Sequence, residues 1–412
     1  MLSSTWRSRS TRGVLVIGAA AALALTGCSD KSTDSGSGAT GTGSGGLSIQ
    51  PVMQVDTAGK EVPKTDPAKA ADPAGDGKAT CAPGTAIAMA GALTGPDAAL
   101  GINIVNGVKL ALDQHNKANP GCKIELKQFD TEGDPQKATQ VIPQIVNDRS
   151  IIGLVGPAFS GETKATGQIL SDAGLVAVTS SATNATLTQN GWTTFFRGLA
   201  NDDVQGPSVA KYLVGTANYK KVCVVQDNTD YGVGLAKSVT EGLGAAADPA
   251  CAASIKKGDK DFSATVTKIA AAAPDAVFFS GYYAEGAPLA QQLKSGGVKA
   301  VFVGPDGVND PQFISQAGSA AKGANLTCPC GPAPEKFAKD YEALNGQAPG
   351  VYSVEAYDLT TILAKGIDGG KVTRPDLLGF VRSYDGPGLA RTYKWSPNGE
   401  LANAQIWIYE VK

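Results

Sequence analysis

Short apolar stretches of strand length alternate with segments of helical period along most of this 412-residue chain, and that alternation leaves few folds open. Strands read at Thr85 to Ala92, Ile124 to Phe129, Ile151 to Val155, Leu175 to Thr179, Thr193 to Arg197, Lys221 to Gln226, Cys251 to Lys256, Ala276 to Ser280 and Ala300 to Val303. Helices fit the gaps. Ile104, Val108, Ala111 and Leu112 recur at helical spacing, and Asn119-Pro120-Gly121 stops that helix. Such alternation implies βαβ units around parallel sheets. A body running from residue 81 to residue 412 is long for a single core, so the expected class is α/β with two doubly wound lobes. Only the end departs from the pattern: Arg391 to Trp395, the turn Ser396-Pro397-Asn398-Gly399 and Ala404 to Val411 read as a hairpin.

The N-terminus carries different information. Arg7, Arg9 and Arg12 precede an apolar run from Val14 to Leu25 that is too short to span a bilayer, the layout of a secretory signal. It ends in Leu25-Thr26-Gly27-Cys28, which resembles a bacterial lipobox. That resemblance implies a lipoprotein signal with its lipobox over residues 1–28, cleaved before Cys28, and a lipid on the Cys28 thiol that anchors the protein to the cell membrane on the extracytoplasmic face. From residue 29 to 80 the chain is mostly Gly, Ser, Thr, Asp, Ala and Pro, and reads as a disordered tether. Gly77-Lys78 lacks the earlier glycine and the following hydroxyl residue of a phosphate loop.

Charge excludes some partners. Lys and Arg number 36 against 38 Asp and Glu, and no basic run lies outside the signal, so nucleic acid is not expected to bind. Six of the seven cysteines remain after Cys28, and outside the reducing cytoplasm disulfides are the default. Cys81 and Cys122 each precede a strand, while Cys223 lies in one and Cys251 opens the next. Pairing within each couple would join neighbouring strands. Cys328 and Cys330 either pair with each other or stay as thiols. No histidine or cysteine cluster supports a metal site, and no cofactor is expected. The single histidine, His115, ends an apolar helix face and reads as structural. With no GxSxG, HExxH or phosphate-loop motif, an enzyme is not expected.

In doubly wound sheets ligands bind beyond the carboxyl ends of strands, so the loops there are the candidate site. Ser160 stands where the helix after Ile151–Val155 begins, with backbone N–H groups facing an anion. Ser180 to Asn184 forms a second polar cluster, containing Ser181 and Thr183. Tyr282 follows the strand ending at Ser280, and Asp306 sits on a turn after Val303. Singly, these are ordinary caps, turn formers and packing residues. Jointly they occupy four strand ends.

These loops resemble the periplasmic leucine, isoleucine and valine binding proteins and their branched-chain amino acid relatives, over about Thr85 to Val411. The likeness rests on Gly91-Ala-Leu-Thr-Gly-Pro96, Val155-Gly-Pro-Ala-Phe-Ser160, Val178-Thr-Ser-Ser-Ala-Thr183, Asp230-Tyr-Gly-Val-Gly-Leu235, Lys260-Asp-Phe-Ser263, Gly281-Tyr282 and Gly304-Pro-Asp-Gly-Val308. It implies a type I periplasmic binding protein fold, two lobes joined by three chain crossings, with lobe 1 at 81–201 plus 334–388 and lobe 2 at 202–333 plus 389–412. By similarity, Ser160 and Thr183 would hold a ligand α-carboxylate with backbone groups around Ser181. Asp306 would take the α-ammonium, and Tyr231 and Tyr282 would close over the ligand. Leu100, Phe159 and Tyr352 would form an apolar side pocket. Glu162 would either cap its helix or repel an acidic ligand. The implied role is a monomeric solute-binding lipoprotein serving a membrane permease of the ABC type. A lipoprotein that senses its ligand for a membrane receptor, or one that takes amides, ureas or aromatic acids, would use the same architecture. If Cys28 bears lipid, Cys28→Ala should move the protein from the membrane to the soluble fraction in a fractionation experiment; unchanged membrane association would refute the lipobox.

Overall fold

The computed structural model describes residues 46–63, 69–402 and 405–412. The signal, Cys28 and the tether as far as residue 45 lie outside them. Within the rest of the expected tether, Ile49–Val55 is not coil but strand β1, antiparallel to the last strand from Ile49 opposite Val411 to Val55 opposite Ile406. Leu47, Ile49, Met53 and Val55 bring enough apolar surface to reach the core. Pro51 is tolerated because β1 is an edge strand and its register shifts between Pro51 and Met53.

The next strands build the first sheet. β2 (Ala86–Gly91), β3 (Glu125–Asp130), β4 (Ile151–Val155), β5 (Val176–Thr179) and β6 (Phe195–Arg197) pair parallel in the order β3-β2-β4-β5-β6. Helices α1 (Ala98–Ala118), α2 (Pro135–Asn147) and α3 (Ser160–Asp172) make the crossovers. Burial of every residue in β2 and β4 explains their continuous apolar runs, since helices cover both faces of such sheets.

The second sheet repeats the pattern. Helices α4 (Asp202–Lys211), α5 (Asp230–Leu243), α6 (Ser263–Ala272), α7 (Tyr283–Ser295) and α8 (Pro311–Ala317) alternate with β7 (Val222–Gln226), β8 (Ala253–Ser254), β9 (Ala276–Ser280), β10 (Val301–Gly304) and β11 (Asn325–Cys328). Then α9 (Glu335–Asn345), α10 (Ser353–Asp368) and α11 (Arg374–Arg382) return to the first lobe, α10 along α1 and both α10 and α11 against β4. Gly107 permits the first of these contacts, because a Cβ there would lie 2.3 Å from the Ser353 carbonyl oxygen. A small ribbon, β12 (Asp385–Pro387) with β13 (Thr392–Lys394), precedes β14 (Ile406–Val411), and β14 inserts antiparallel between β1 and β11. The second sheet therefore runs β1-β14-β11-β10-β9-β7-β8.

The expected C-terminal hairpin closes only around its turn, where Trp395 bridges antiparallel to Leu401; its long strands part, β13 pairing with β12, and β14 with β1 and β11. Residues 389–401, expected in lobe 2, lie on lobe 1 instead. Buried Asp358 of α10 accepts the Leu389 and Ala390 backbone N–H groups, each at 2.8 Å, and the Tyr393 hydroxyl at 3.0 Å. The Arg197 N–H at the sheet edge donates to Gly399, and Trp395 Nε1 donates to Arg197 O at 2.6 Å. Unpaired edge groups and a buried carboxyl thus capture a segment that sequence spacing assigned elsewhere. With β1 in the second sheet, β2 in the first and α9 to α11 packed on the first lobe, the chain passes between the lobes four times, where three passages were expected.

Disulfides join Cys81 to Cys122, Cys223 to Cys251 and Cys328 to Cys330. The first two pin neighbouring strands, as anticipated, and the third closes the open alternative at 328 and 330. His115 is buried, with Nε2 2.7 Å from Asp368 Oδ1 and Nδ1 3.1 Å from Asn116 Oδ1. Cys122 and Asp368 lie close to it, but the Cys122 sulfur is committed to its disulfide. Among the described residues no helix is long and apolar enough to cross a membrane. Replacing Cys223 and Cys251 together by serine should cost about 3 to 4 kcal/mol of stability by loop-entropy arguments, read as a lower denaturant midpoint; an unchanged midpoint would show the bridge to be energetically idle.

Candidate ligand-binding site

The loops leaving the carboxyl ends of the parallel strands meet in a cleft between the two sheets. Its cavity is lined from lobe 1 by Leu100, Ile104, Ala158, Phe159, Ser160, Ser181 and Tyr352, and from lobe 2 by Tyr231 and Tyr282. In this closed arrangement the space left among them is about 10 Å³, room for roughly one water molecule. Phe159 and Tyr282 meet across the cleft with ring centroids 5.2 Å apart, and Tyr231 stacks behind Tyr282 at 5.1 Å.

One end of the cavity is rich in donors. Ser160 opens α3, so the unpaired N–H groups of a helix start point toward the cleft. Its Oγ accepts from Asn184 N at 3.2 Å and donates to none of the described residues. Ser181 spends its hydroxyl on Ala158 O at 2.6 Å. Thr183 is fully buried beside Asp202 and does not line the cavity. Arg197, which sequence patterning passed over as a charge inside an apolar strand, organises this loop. It is fully buried, donates to the carbonyls of Ala182 and Asn184, and pairs with Glu400 at 2.9 Å. Glu162 accepts from Phe159 N at 3.1 Å, so it caps α3 and is not a lining group.

The opposite end is anionic. Asp306 is fully buried, and its Oδ1 accepts from Tyr231 Oη at 2.7 Å and Gln205 Nε2 at 2.9 Å. Its Oδ2 accepts from Tyr352 Oη at 2.6 Å. Burial pushes the Asp306 carboxyl above the ordinary range, and these three donors together with its own backbone N–H pull against that push. Tyr231 and Tyr352 stand between Asp306 and the cavity they line. Gly307 leaves room for this packing: a Cβ there would come within 3.1 Å of the Tyr231 and Tyr282 rings.

A second polar group, unforeseen in the sequence, closes the mouth. Lys257 of lobe 2 reaches Asp97 of lobe 1 at 2.8 Å, with its ammonium 4.9 Å from the Tyr282 ring centroid and 5.5 Å from that of Phe159. Burial disfavours the Lys257 ammonium, but Asp97, Glu285 and Asp227 outweigh it and raise its pKa. Burial lifts Asp227 to about 6, Glu162 and Glu285 to about 7, and Asp202 to about 8. Asn103 to Asp310 at 2.8 Å and Lys164 to Asp230 at 2.6 Å also bridge the lobes, so the structure is a closed one.

Two sheets wound in this way, meeting at a closed cleft with donors at one end and a buried carboxyl at the other, define a two-lobed binding protein. The family model for periplasmic binding proteins matches residues 85–412, and the chain belongs to that family. The leucine-, isoleucine-, valine-, threonine- and alanine-binding protein of Pseudomonas aeruginosa is 30% identical over 334 residues, 79% of this chain and 89% of that one. The leucine-specific-binding protein of Salmonella typhimurium is 30% identical over 332 residues, 79% and 90% of the two chains. Among solved structures, the branched-chain amino acid transporter substrate-binding protein of Streptococcus pneumoniae, in complex with isoleucine, superposes with a TM-score of 0.73 at 27% identity, covering 79% of this chain and 99% of that one. The protein therefore binds a solute and is not an enzyme. Truncating one partner of a buried charge pair typically costs 2 kcal/mol or more, so Lys257→Met should weaken the closed form by about that amount. Small-angle scattering without ligand should then show a larger radius of gyration, and an unchanged profile would deny Lys257 a part in closure.

Proposed function

We propose that this protein is the extracytoplasmic solute-binding lipoprotein of an ABC importer, which takes an amino acid between its lobes and hands it to a membrane permease. The observation that carries the reading is the polarity around the cleft: the Ser160 hydroxyl and a helix start on one side, and the Asp306 carboxyl, held behind the Tyr231 and Tyr352 hydroxyls, on the other. A zwitterion removed from water needs both of its poles matched, because an unpaired buried charge is costly. Ser160, with backbone groups around Ser181 and the start of α3, takes the carboxylate, and Asp306 takes the ammonium. Tyr231 and Tyr282 close over the ligand. Leu100, Phe159 and Tyr352, joined by Ile104, receive an apolar side chain. Asp202, Glu162, Asp227 and Glu285 crowd the surroundings with carboxyls and disfavour a second acidic group on the ligand.

A thermal-shift panel of amino acids selects the solute, since a ligand at 100 times its Kd adds about 2.7 kcal/mol. In calorimetric titration Asp306→Asn should lose about 2 to 5 kcal/mol of binding, and Ser160→Ala, which removes a neutral donor to a charged group, about 1.5 to 3. Amino acid binding by Asp306→Asn as tight as the parent's would require a solute whose ammonium is held elsewhere. Deletion of the gene with unchanged uptake of the selected solute would favour a sensing role.

A further inference from the structure

We infer that Tyr352 is a positioning residue for the ammonium-binding pole: its hydroxyl, carried on lobe 1, fixes the Asp306 carboxylate of lobe 2, so that closure completes the pole. The inference rests on the reading that Asp306 receives the ligand ammonium. An ionised carboxylate offers about four acceptor positions. On Oδ1, Tyr231 and Gln205 occupy two, and Gln205 is itself held 3.2 Å from Thr327 Oγ1. All three of these side chains belong to lobe 2, as Asp306 does. Oδ2 accepts from Tyr352 at 2.6 Å, and the Asp306 backbone N–H also bonds to the carboxyl. Of these donors Tyr352 is the one that lobe 1 supplies, so its hydroxyl sets how Oδ2 faces when the cleft closes.

The backbone supports this role. Tyr352 adopts φ +70°, a left-handed conformation that a bulky residue avoids unless its surroundings impose it. It immediately precedes α10, whose first residue is pressed against Gly107 of α1. The seat of the phenol is thus fixed by lobe 1 packing. Its ring lines the cavity while its hydroxyl meets Asp306, so phenylalanine keeps the ring and removes only the bond. The ionisable groups facing this pair are Tyr231 from α5, Tyr282 before α7, Asp202 from α4 and Glu355 from α10.

Asp306 must be ionised to pair with an ammonium, and the Tyr352 bond opposes the upward push of burial on its pKa. Removing that bond makes Asp306 protonate at higher pH. The test uses the full chain as parent, Tyr352→Phe and Asp306→Asn. Carboxyl carbon NMR of the ligand-free protein follows Asp306, its signal assigned by its loss in Asp306→Asn. Its titration should move up by about one pH unit in Tyr352→Phe. Calorimetry with L-leucine should show affinity falling on the order of tenfold at pH 7.5, and the decline of affinity on acidification should begin at higher pH. An Asp306 titration that does not move in Tyr352→Phe overturns the inference, as does an affinity loss with no shift of the acid limb. Leucine binding that survives in Asp306→Asn defeats instead the ammonium reading on which the inference rests.

Discussion

A carboxyl group withdrawn from water between two moving bodies must be given donors from both, and the arrangement of this cleft follows from that requirement. Asp306 is fully buried, and the donors that favour its charged form against that burial are Tyr352, Tyr231, Gln205 and its own backbone N–H. The parallel order of the second sheet makes the lobe 2 share possible. Neighbouring strands β7, β9 and β10 release Tyr231, Tyr282 and Asp306 at the same edge. In the first sheet, β4 and β5 likewise release Ser160 and Ser181 side by side. The two poles of the cleft are thus set by strand order before any side chain is chosen.

Much of this was legible in the sequence. Alternating strands and helices gave the parallel sheets, and the position of each cysteine beside a strand gave two disulfides. The loops carrying Ser160, Ser181, Tyr282 and Asp306 could be found because ligands gather beyond strand ends. Other features depend on partners far away along the chain. Lys257 and Asp97 look like surface charges until closure brings them together, and Gln205 looks like a helix residue until β10 lies beside it. Arg197 breaks the apolar pattern of its strand, a signal that could have been read as a buried anchor. Its partner Glu400 lies in a segment whose place in the fold was misassigned.

The error at β1 has a specific cause. Ile49–Val55 contains only a few apolar residues within a stretch rich in glycine, serine and threonine, and composition averaged over that stretch hides them. An edge strand needs only one good partner, which β14 supplies through a run of backbone pairs. The C-terminal segment was misread for the converse reason: two strand-like pieces flanking a turn look like a hairpin, although each finds a better partner elsewhere.

Strand β1 also settles how the folded body would bear a load. Ser48 and Lys412 exchange backbone hydrogen bonds, and Ile49 lies opposite Val411, so the chain enters the body beside Lys412. A force drawing these neighbouring ends apart would act on the β1–β14 bonds one after another, as a zipper opens, rather than on all of them at once. The first element to yield under tension would be this ribbon, leaving the parallel strands that carry Tyr231, Tyr282 and Asp306 still paired.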